Sequence, residues 1–145
     1  FFGRERRICR MRWQGERERL RRFDRVIEDV RTEAGGDTVI MVEGRNDEAA
    51  LRRLGIEAEV VRVSGNGRSL VETALRVAGV YDDAILLTDW DRQGDALLDE
   101  LKTLLERHGV VPNTVHRKRL RNLTAKAIHD VESLAIHRRN LAAEL

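Results

Sequence analysis

"AILLTDWDRQGDALLDELKTLLERHG" (Ala84–Gly109) decides the fold class. Its opening AILLT is a short, almost wholly apolar run, the pattern of a strand buried on both faces. Asp89 and Asp91 follow at once. Leu97, Leu98, Leu101, Leu104 and Leu105 then recur at helical spacing until Gly109 stops the pattern. A buried strand, an acidic turn and an amphipathic helix make one unit of an alternating α/β chain.

The same unit recurs upstream. "TVIMV" (Thr38–Val42) reads as a buried strand and "EGRND" as the turn after it. Asn46 is expected to cap a helix whose inner face is Ala49, Ala50, Leu51 and Leu54, with Gly55 at its end. "AEVVRV" (Ala58–Val63) is the next strand and "SGNG" the next turn. Ser69 and Glu72 have capping-box spacing ahead of Leu70, Val71, Ala74, Leu75 and Ala78. Upstream of all this, Leu20, Phe23, Ile27, Val30 and Ala34 mark one face of a helix from about Gly15 to Ala34. Downstream of Pro112, "TVHRKR" is expected to form a short fourth strand. "TAKAIHDVESLAIHRRNLAAEL" reads as mainly helical, with a break near Asp130.

Strands alternating with helices across short loops imply a parallel sheet covered by helices. The expected fold is therefore α/β: an open, mainly parallel four-stranded sheet flanked by helices. Residues 1–36 are expected to form a basic N-terminal helical arm, and 37–145 the main domain with a C-terminal helical extension. There is no internal repeat, low-complexity tract or linker.

Composition narrows the function classes. At 145 residues, 41% hydrophobic and 36% charged, the chain has the size of one domain and too much periodic apolar character to be disordered. No apolar run nears the roughly 20 residues that span a bilayer, so a membrane partner is not expected. The chain opens on Phe1 rather than methionine, which points to a processed or trimmed end, and no apolar stretch follows its arginine-rich start. Cys9 is the only cysteine, which excludes a disulfide within the chain and a cysteine-based zinc site; a cytoplasmic setting fits. The net charge is only +2, but arginines crowd the first 25 residues and "HRKRLR" (His116–Arg121) forms a second basic cluster. Such clusters suit phosphate contacts, while "GERERLRR" equally suits a solvated helix face with Glu/Arg pairs.

In open parallel sheets, sites form outside the carboxyl ends of the strands. Glu43 ends the first strand, Asp89 the third, and Asp91 lies two residues later. Taken singly, each is an ordinary loop residue, turn or helix cap. Together they are three carboxylates aimed at one edge, where mutual repulsion and burial oppose ionisation. A divalent cation resolves that conflict, and an all-oxygen donor set favours magnesium or manganese over zinc.

"VIMVEGRND" followed by "ILLTDWDRQGD" resembles the Toprim domain, shared by topoisomerases, bacterial primases, OLD-type nucleases, recombination mediators and small-RNA maturation nucleases. Glu43–Gly44 after the first strand, then Asp89–Trp90–Asp91 with Gly94 after the third, match its signature, over roughly Asp37 to Arg119. "EGRNDEAAL" and "VSGNGRSL" look most similar to the maturation-nuclease branch and to small stand-alone archaeal Toprim proteins. The resemblance implies a Toprim/Rossmann-like sheet and catalytic Glu43, Asp89 and Asp91 binding Mg2+, with Mn2+ as a substitute and Glu43 also a general acid or base. Asp47 is a candidate for a second metal or a first-turn charge, and Asp95 a helix cap. Arg45, Arg68, Arg92 and Lys118 are candidates for phosphate contacts, each otherwise a surface cation. Trp13 and Trp90 are candidates for base stacking, although Trp90 can also pack beneath the aspartates. Asp130 and Glu132 are candidates to approach the acidic cluster, although a polar loop or cap is the simpler reading.

The implied activity is magnesium-dependent phosphodiester chemistry on RNA or DNA, foremost nuclease cleavage, with room for a protein partner that completes the site. A non-catalytic nucleic-acid-binding or scaffold module is the alternative. Topoisomerase action lacks a well-placed tyrosine, because Tyr81, the only one, precedes the third strand. A phosphatase of the haloacid-dehalogenase type also uses Asp-x-Asp, but after its first strand.

Overall fold

The computed structural model describes the backbone of residues 2–145 and the side chains of Arg7, Arg10 and residues 14–145. The stacking candidate Trp13 and the lone Cys9 lie outside the described side chains. In chain order the elements are α1 (Phe2–Glu33), β1 (Thr38–Val42), α2 (Arg45–Arg53), β2 (Val60–Arg62), α3 (Leu70–Ala78), β3 (Asp83–Leu87), α4 (Arg92–Arg107), β4 (Val111–Asn113), α5 (Val115–Thr124) and α6 (Leu134–Ala143).

The four strands form one sheet in the order β2-β1-β3-β4, all parallel, as the sequence pattern requires. Ile40 lies between Val60 of β2 and Ile85 of β3, so the central pair β1–β3 carries the register. Alternate side chains enter two cores. Ile40, Val42, Ile85 and Leu87 pack with Phe23, Val26, Ile27 and Val30 of α1, Leu51 of α2, Leu120 of α5 and Leu134 of α6. On the opposite face, Val39, Met41, Ala84 and Leu86 meet Ala74 and Val77 of α3 and Leu101, Leu104 and Leu105 of α4. Both faces are covered, which is why β1 and β3 read as unbroken apolar runs.

Five expectations change. The helix read from about Gly15 begins earlier, at Phe2, and its second half supplies core residues. Polar ties reinforce that packing: Arg138 of α6 grips Asp24 through two bonds of 2.8 and 3.1 Å, and Arg119 of α5 reaches Asp29 at 2.9 Å.

"TVHRKR" is not a strand. β4 is Val111–Asn113, and the basic run belongs to α5. The Asn113 side chain accepts from Val115 N–H and turns the chain, and buried His116, Arg117, Leu120 and Thr124 then repeat at helical spacing. Pro112 is tolerated because β4 is an edge strand.

The C-terminal helix is broken across residues 125–133, further than a single kink at Asp130. Backbone groups there serve the β3–α4 loop. Ile128 C=O accepts from Trp90 Nε1–H, His129 C=O accepts from Trp90 N–H, and Val131 N–H donates to Asp89. A helix through this segment would consume those groups internally.

Two caps also move. Gly44, not Asn46, precedes α2, and its N–H donates to the Asp47 carboxylate at 2.9 Å. Asp91, not Asp95, caps α4, accepting from Gly94 N–H at 2.7 Å.

Candidate metal and nucleic-acid site

Because β1 and β3 are neighbours in register, with Val42 opposite Leu87, their carboxyl ends deliver Glu43 and Asp89 to the same place. Glu43 Oε1 accepts from the Asp89 N–H at 3.3 Å, across 46 residues of sequence. Asp89 Oδ1 accepts from Val131 N–H at 2.9 Å. Asp91 reaches the same edge while capping α4, and Asp47 lies in the first turn of α2, 6% exposed. The structure thus places Glu43, Asp47, Asp89 and Asp91 at one edge of the sheet, near enough for their charges to interact. Asp130 and Glu132, on the irregular segment before α6, add negative charge from the side: both push Asp47 upward and Asp130 also pushes Asp89 upward.

The crowding disfavours the ionised forms of Glu43, Asp47 and Asp89. Burial, then the Asp89 carboxylate, pushes Glu43 up to about 7. Burial and Asp89 push Asp47 up to about 6, against the stabilising Gly44 N–H. Burial raises Asp89 as well, and the Val131 N–H opposes it. No arginine, lysine or histidine is ion-paired with any of these four acids among the described residues.

This donor set fits a hard divalent cation. All the available ligand atoms are oxygens, and no cation among the described residues is ion-paired with the acids. Among the described residues, no three such side chains are already gathered as a ligand cluster. Each is engaged by a backbone N–H, or engages one, as set out above.

The loop that bears Asp89 and Asp91 is fixed from beneath. Arg117, 3% exposed, sends Nε to Thr88 C=O at 2.9 Å and Nη2 to both Asp89 C=O and the Asp95 carboxylate at 2.6 Å. Asp95 is therefore Arg117's partner rather than a cap. Trp90 is buried between the two aspartates and bonds to the segment before α6, so it supports the site and is not free to stack on bases. Gly94 is obligatory: a Cβ there would stand 1.8 Å from Asp89 C=O. Sequence reasoning missed Arg117, although its place three residues before apolar Leu120 was a helical-face signal. Asp130 and Glu132 lie in the irregular segment read as a polar loop or cap, and Asp130 accepts from Ser133 N–H at 2.8 Å.

The candidate phosphate contacts are spread more widely. Arg45 and Arg92 are the first residues of α2 and α4 and are exposed beside the acids. Arg68 is exposed after the β2 turn, and Lys118 projects from α5. None of these four has an acidic partner among the described residues.

A parallel sheet clothed on both faces, with acids at its central carboxyl edge, defines an α/β protein whose candidate site lies at that edge. The chain belongs to the Toprim domain family, whose model matches residues 38–123. It is 35% identical over 118 residues to a UPF0292 protein of Methanosarcina barkeri, covering 81% of each chain. A UPF0292 protein of Pyrococcus horikoshii is 38% identical over 117 residues, covering 81% of this chain and 84% of that one. A solved structure from Aquifex aeolicus superposes with a TM-score of 0.61 at 27% identity, covering 77% of this chain and 94% of that one. Family membership links the chain to metal-dependent nucleic-acid chemistry. Among the described residues, no helix is long and apolar enough to cross a membrane.

Proposed function

We propose that this protein cleaves phosphodiester bonds in RNA or DNA with Mg2+ bound by Glu43, Asp89 and Asp91. The observation that carries the reading is the meeting of Glu43 and Asp89, 46 residues apart, with Asp91 and Asp47 at the same edge and no protein cation to offset them. Asp47 is the candidate ligand for a second ion. When bound, the metal would polarise the phosphodiester and offset charge on the leaving oxygen. Glu43, at about 7, is poised to give or take a proton near neutral pH, as general acid–base catalysis requires. Arg45 and Arg92 orient the phosphates that flank the reacting one, and Lys118 follows the backbone further out. Arg117 holds the Asp89 carbonyl and Asp95, and so sets the direction of the loop.

The test uses labelled RNA and DNA, single-stranded and duplex, with Mg2+ or Mn2+, beside Asp89→Asn/Asp91→Asn. Cleavage that needs the metal and falls at least a hundredfold in the variant is the expected result. Mn2+ binding measured by electron paramagnetic resonance is expected to weaken in parallel. A second reading, a binding or scaffold module acting with a partner protein, is favoured by the lack of a gathered ligand cluster among the described residues. Nucleic-acid binding retained by both proteins without any cleavage supports that reading and overturns the nuclease.

A further inference from the structure

The open edge of the sheet carries a groove that the acidic site does not use. It lies beside β2 and beneath α3, has a volume of about 440 Å3, and is lined by Arg62, Ser64, Asn66, Arg68, Arg76 and Tyr81, among others. It starts where the acids end: Ser64 N–H donates to Glu43 C=O at 2.9 Å.

The turn at its mouth is held rigid by one side chain. Asn66 Nδ2 donates to Arg62 C=O at 2.7 Å and to Thr73 Oγ1 at 3.2 Å, and its Oδ1 accepts from Arg68 N–H at 2.9 Å. Gly65 and Gly67, at φ 71° and 73°, supply left-handed conformations that side chains rarely adopt. In this turn the N–H groups of Gly65, Asn66 and Gly67 have no acceptor among the described residues. Preorganised, unspent N–H groups in a glycine turn suit an anion. Two cations stand with them: Arg68 and Arg76 are exposed and have no acidic partner among the described residues, whereas Arg62 is spent on Glu48 at 3.5 Å. The Tyr81 ring lies further along the same groove, half-buried against the α3–α4 core, and its hydroxyl has no hydrogen-bond partner among the described residues.

We infer that this groove is a track for single-stranded nucleic acid leading away from the acidic edge. The inference rests on the proposed function and specifies the form of its substrate. Backbone N–H groups, Arg68 and Arg76 take successive phosphates, and Tyr81 offers a face to a base. A duplex keeps its bases stacked inside and presents none to a ring within the groove, so the fit is to one strand. A partner protein's β-strand is the competing occupant of any open edge. Here β2 pairs over only three residues and Asn66 covers the Arg62 carbonyl, which leaves little edge to extend.

The full chain is titrated, in EDTA to prevent cleavage, against fluorescein-labelled single-stranded RNA and DNA oligonucleotides and a matched duplex. Anisotropy is read at several salt concentrations for wild type, Arg68→Ala/Arg76→Ala, Tyr81→Leu and Arg139→Ala. Arg139 is an exposed arginine of α6 and serves as the control. Single strands are expected to bind more tightly than duplex. The double variant is expected to lose roughly tenfold or more in affinity and to flatten the salt dependence by about 1.4 in log–log slope, two single-strand phosphates' worth. Tyr81→Leu, which keeps the apolar packing, is expected to weaken single-strand binding by roughly fivefold or more, and Arg139→Ala to change nothing. Unchanged affinity and slope in the double variant overturn the inference, as does a duplex preference or no binding by wild type. Those results leave the proposed cleavage standing, since that falls only if wild type cleaves nothing or if Asp89→Asn/Asp91→Asn retains metal-dependent activity.

Discussion

Arg117 shows how much of a candidate site can rest on a residue that barely reaches solvent. A guanidinium that is 3% exposed must find acceptors in the fold, and Arg117 finds three, two of them main-chain carbonyls of the loop that carries the acids. Its positive charge also lies beneath a negatively charged edge without neutralising any of the candidate ligands. Arg117→Met is expected to cost roughly 1–3 kcal/mol by urea unfolding, because two buried carbonyls lose their donor while half-exposed Asp95 is resolvated. Mn2+ affinity is expected to fall as well, since the Asp89 loop is no longer fixed. Arg117→Lys is expected to recover only part of either loss: one ammonium cannot reproduce a planar fork that reaches three acceptors. A methionine variant with wild-type stability and wild-type Mn2+ binding would show that the loop holds itself.

At the level of elements, the basic N-terminal helix has two characters. Toward its start, residues such as Arg17, Glu18, Arg21 and Arg22 are exposed and partly paired along the helix, while Phe23, Val26, Ile27 and Val30 enter the same core as β1 and β3. Phe23→Ala is expected to destabilise the protein by about 3–5 kcal/mol in denaturant unfolding, a loss typical of a central core phenylalanine. Glu18→Ala is expected to stay within about 0.5 kcal/mol, as for other exposed ion pairs. An equal, small effect from both would mean that α1 is an appendage. Its apolar stripe from Leu20 was legible because 3.6-residue periodicity survives among charged neighbours. β1, β3 and α4 were legible for a related reason: buried parallel strands and a leucine-rich face leave no ambiguity of period. "TVHRKR" misled because a β-branched pair after proline resembles a strand start, while the helical signal lay in His116 and Arg117, polar residues that tertiary partners bury. The segment 125–133 was illegible because its conformation is set by hydrogen bonds to Trp90 and Asp89, some 40 residues earlier. The same holds within the site. Strand ends located Glu43, Asp89 and Asp91 from local pattern alone, while Arg117, Asp130 and Glu132 enter only through contacts between distant segments.

For the molecule as a whole, the site is a store of unfavourable charge that folding has to carry. Glu43 moves from its ordinary value of 4.5 to about 7 in the folded chain, and Asp47 from 3.8 to about 6, both first through burial and then through Asp89. The sign follows from proton counting. Between the unfolded and folded values the native state holds protons that the unfolded chain has released, so stability falls as pH rises through that window. For Glu43 the contribution is complete below about pH 4.5 and gone above about pH 7. Each pH unit of difference is worth about 1.4 kcal/mol, and because the group is only half-buried, solvent screening reduces the total to about 1–2 kcal/mol. Urea unfolding in EDTA is therefore expected to show wild type less stable at pH 8 than at pH 5. Glu43→Gln, which cannot ionise, is expected to flatten that slope and to be the more stable protein at pH 8. A divalent cation reverses the balance by binding the ionised, folded site, adding stability that grows with the logarithm of its concentration. Millimolar Mg2+ is expected to raise the pH 8 stability of wild type, to do less at pH 5, where Glu43 and Asp47 hold protons, and to do less for Glu43→Gln at pH 8. Identical pH slopes for wild type and Glu43→Gln would remove the charge crowding on which the metal assignment stands. A Mg2+ response that survived the substitution undiminished would place the ion elsewhere.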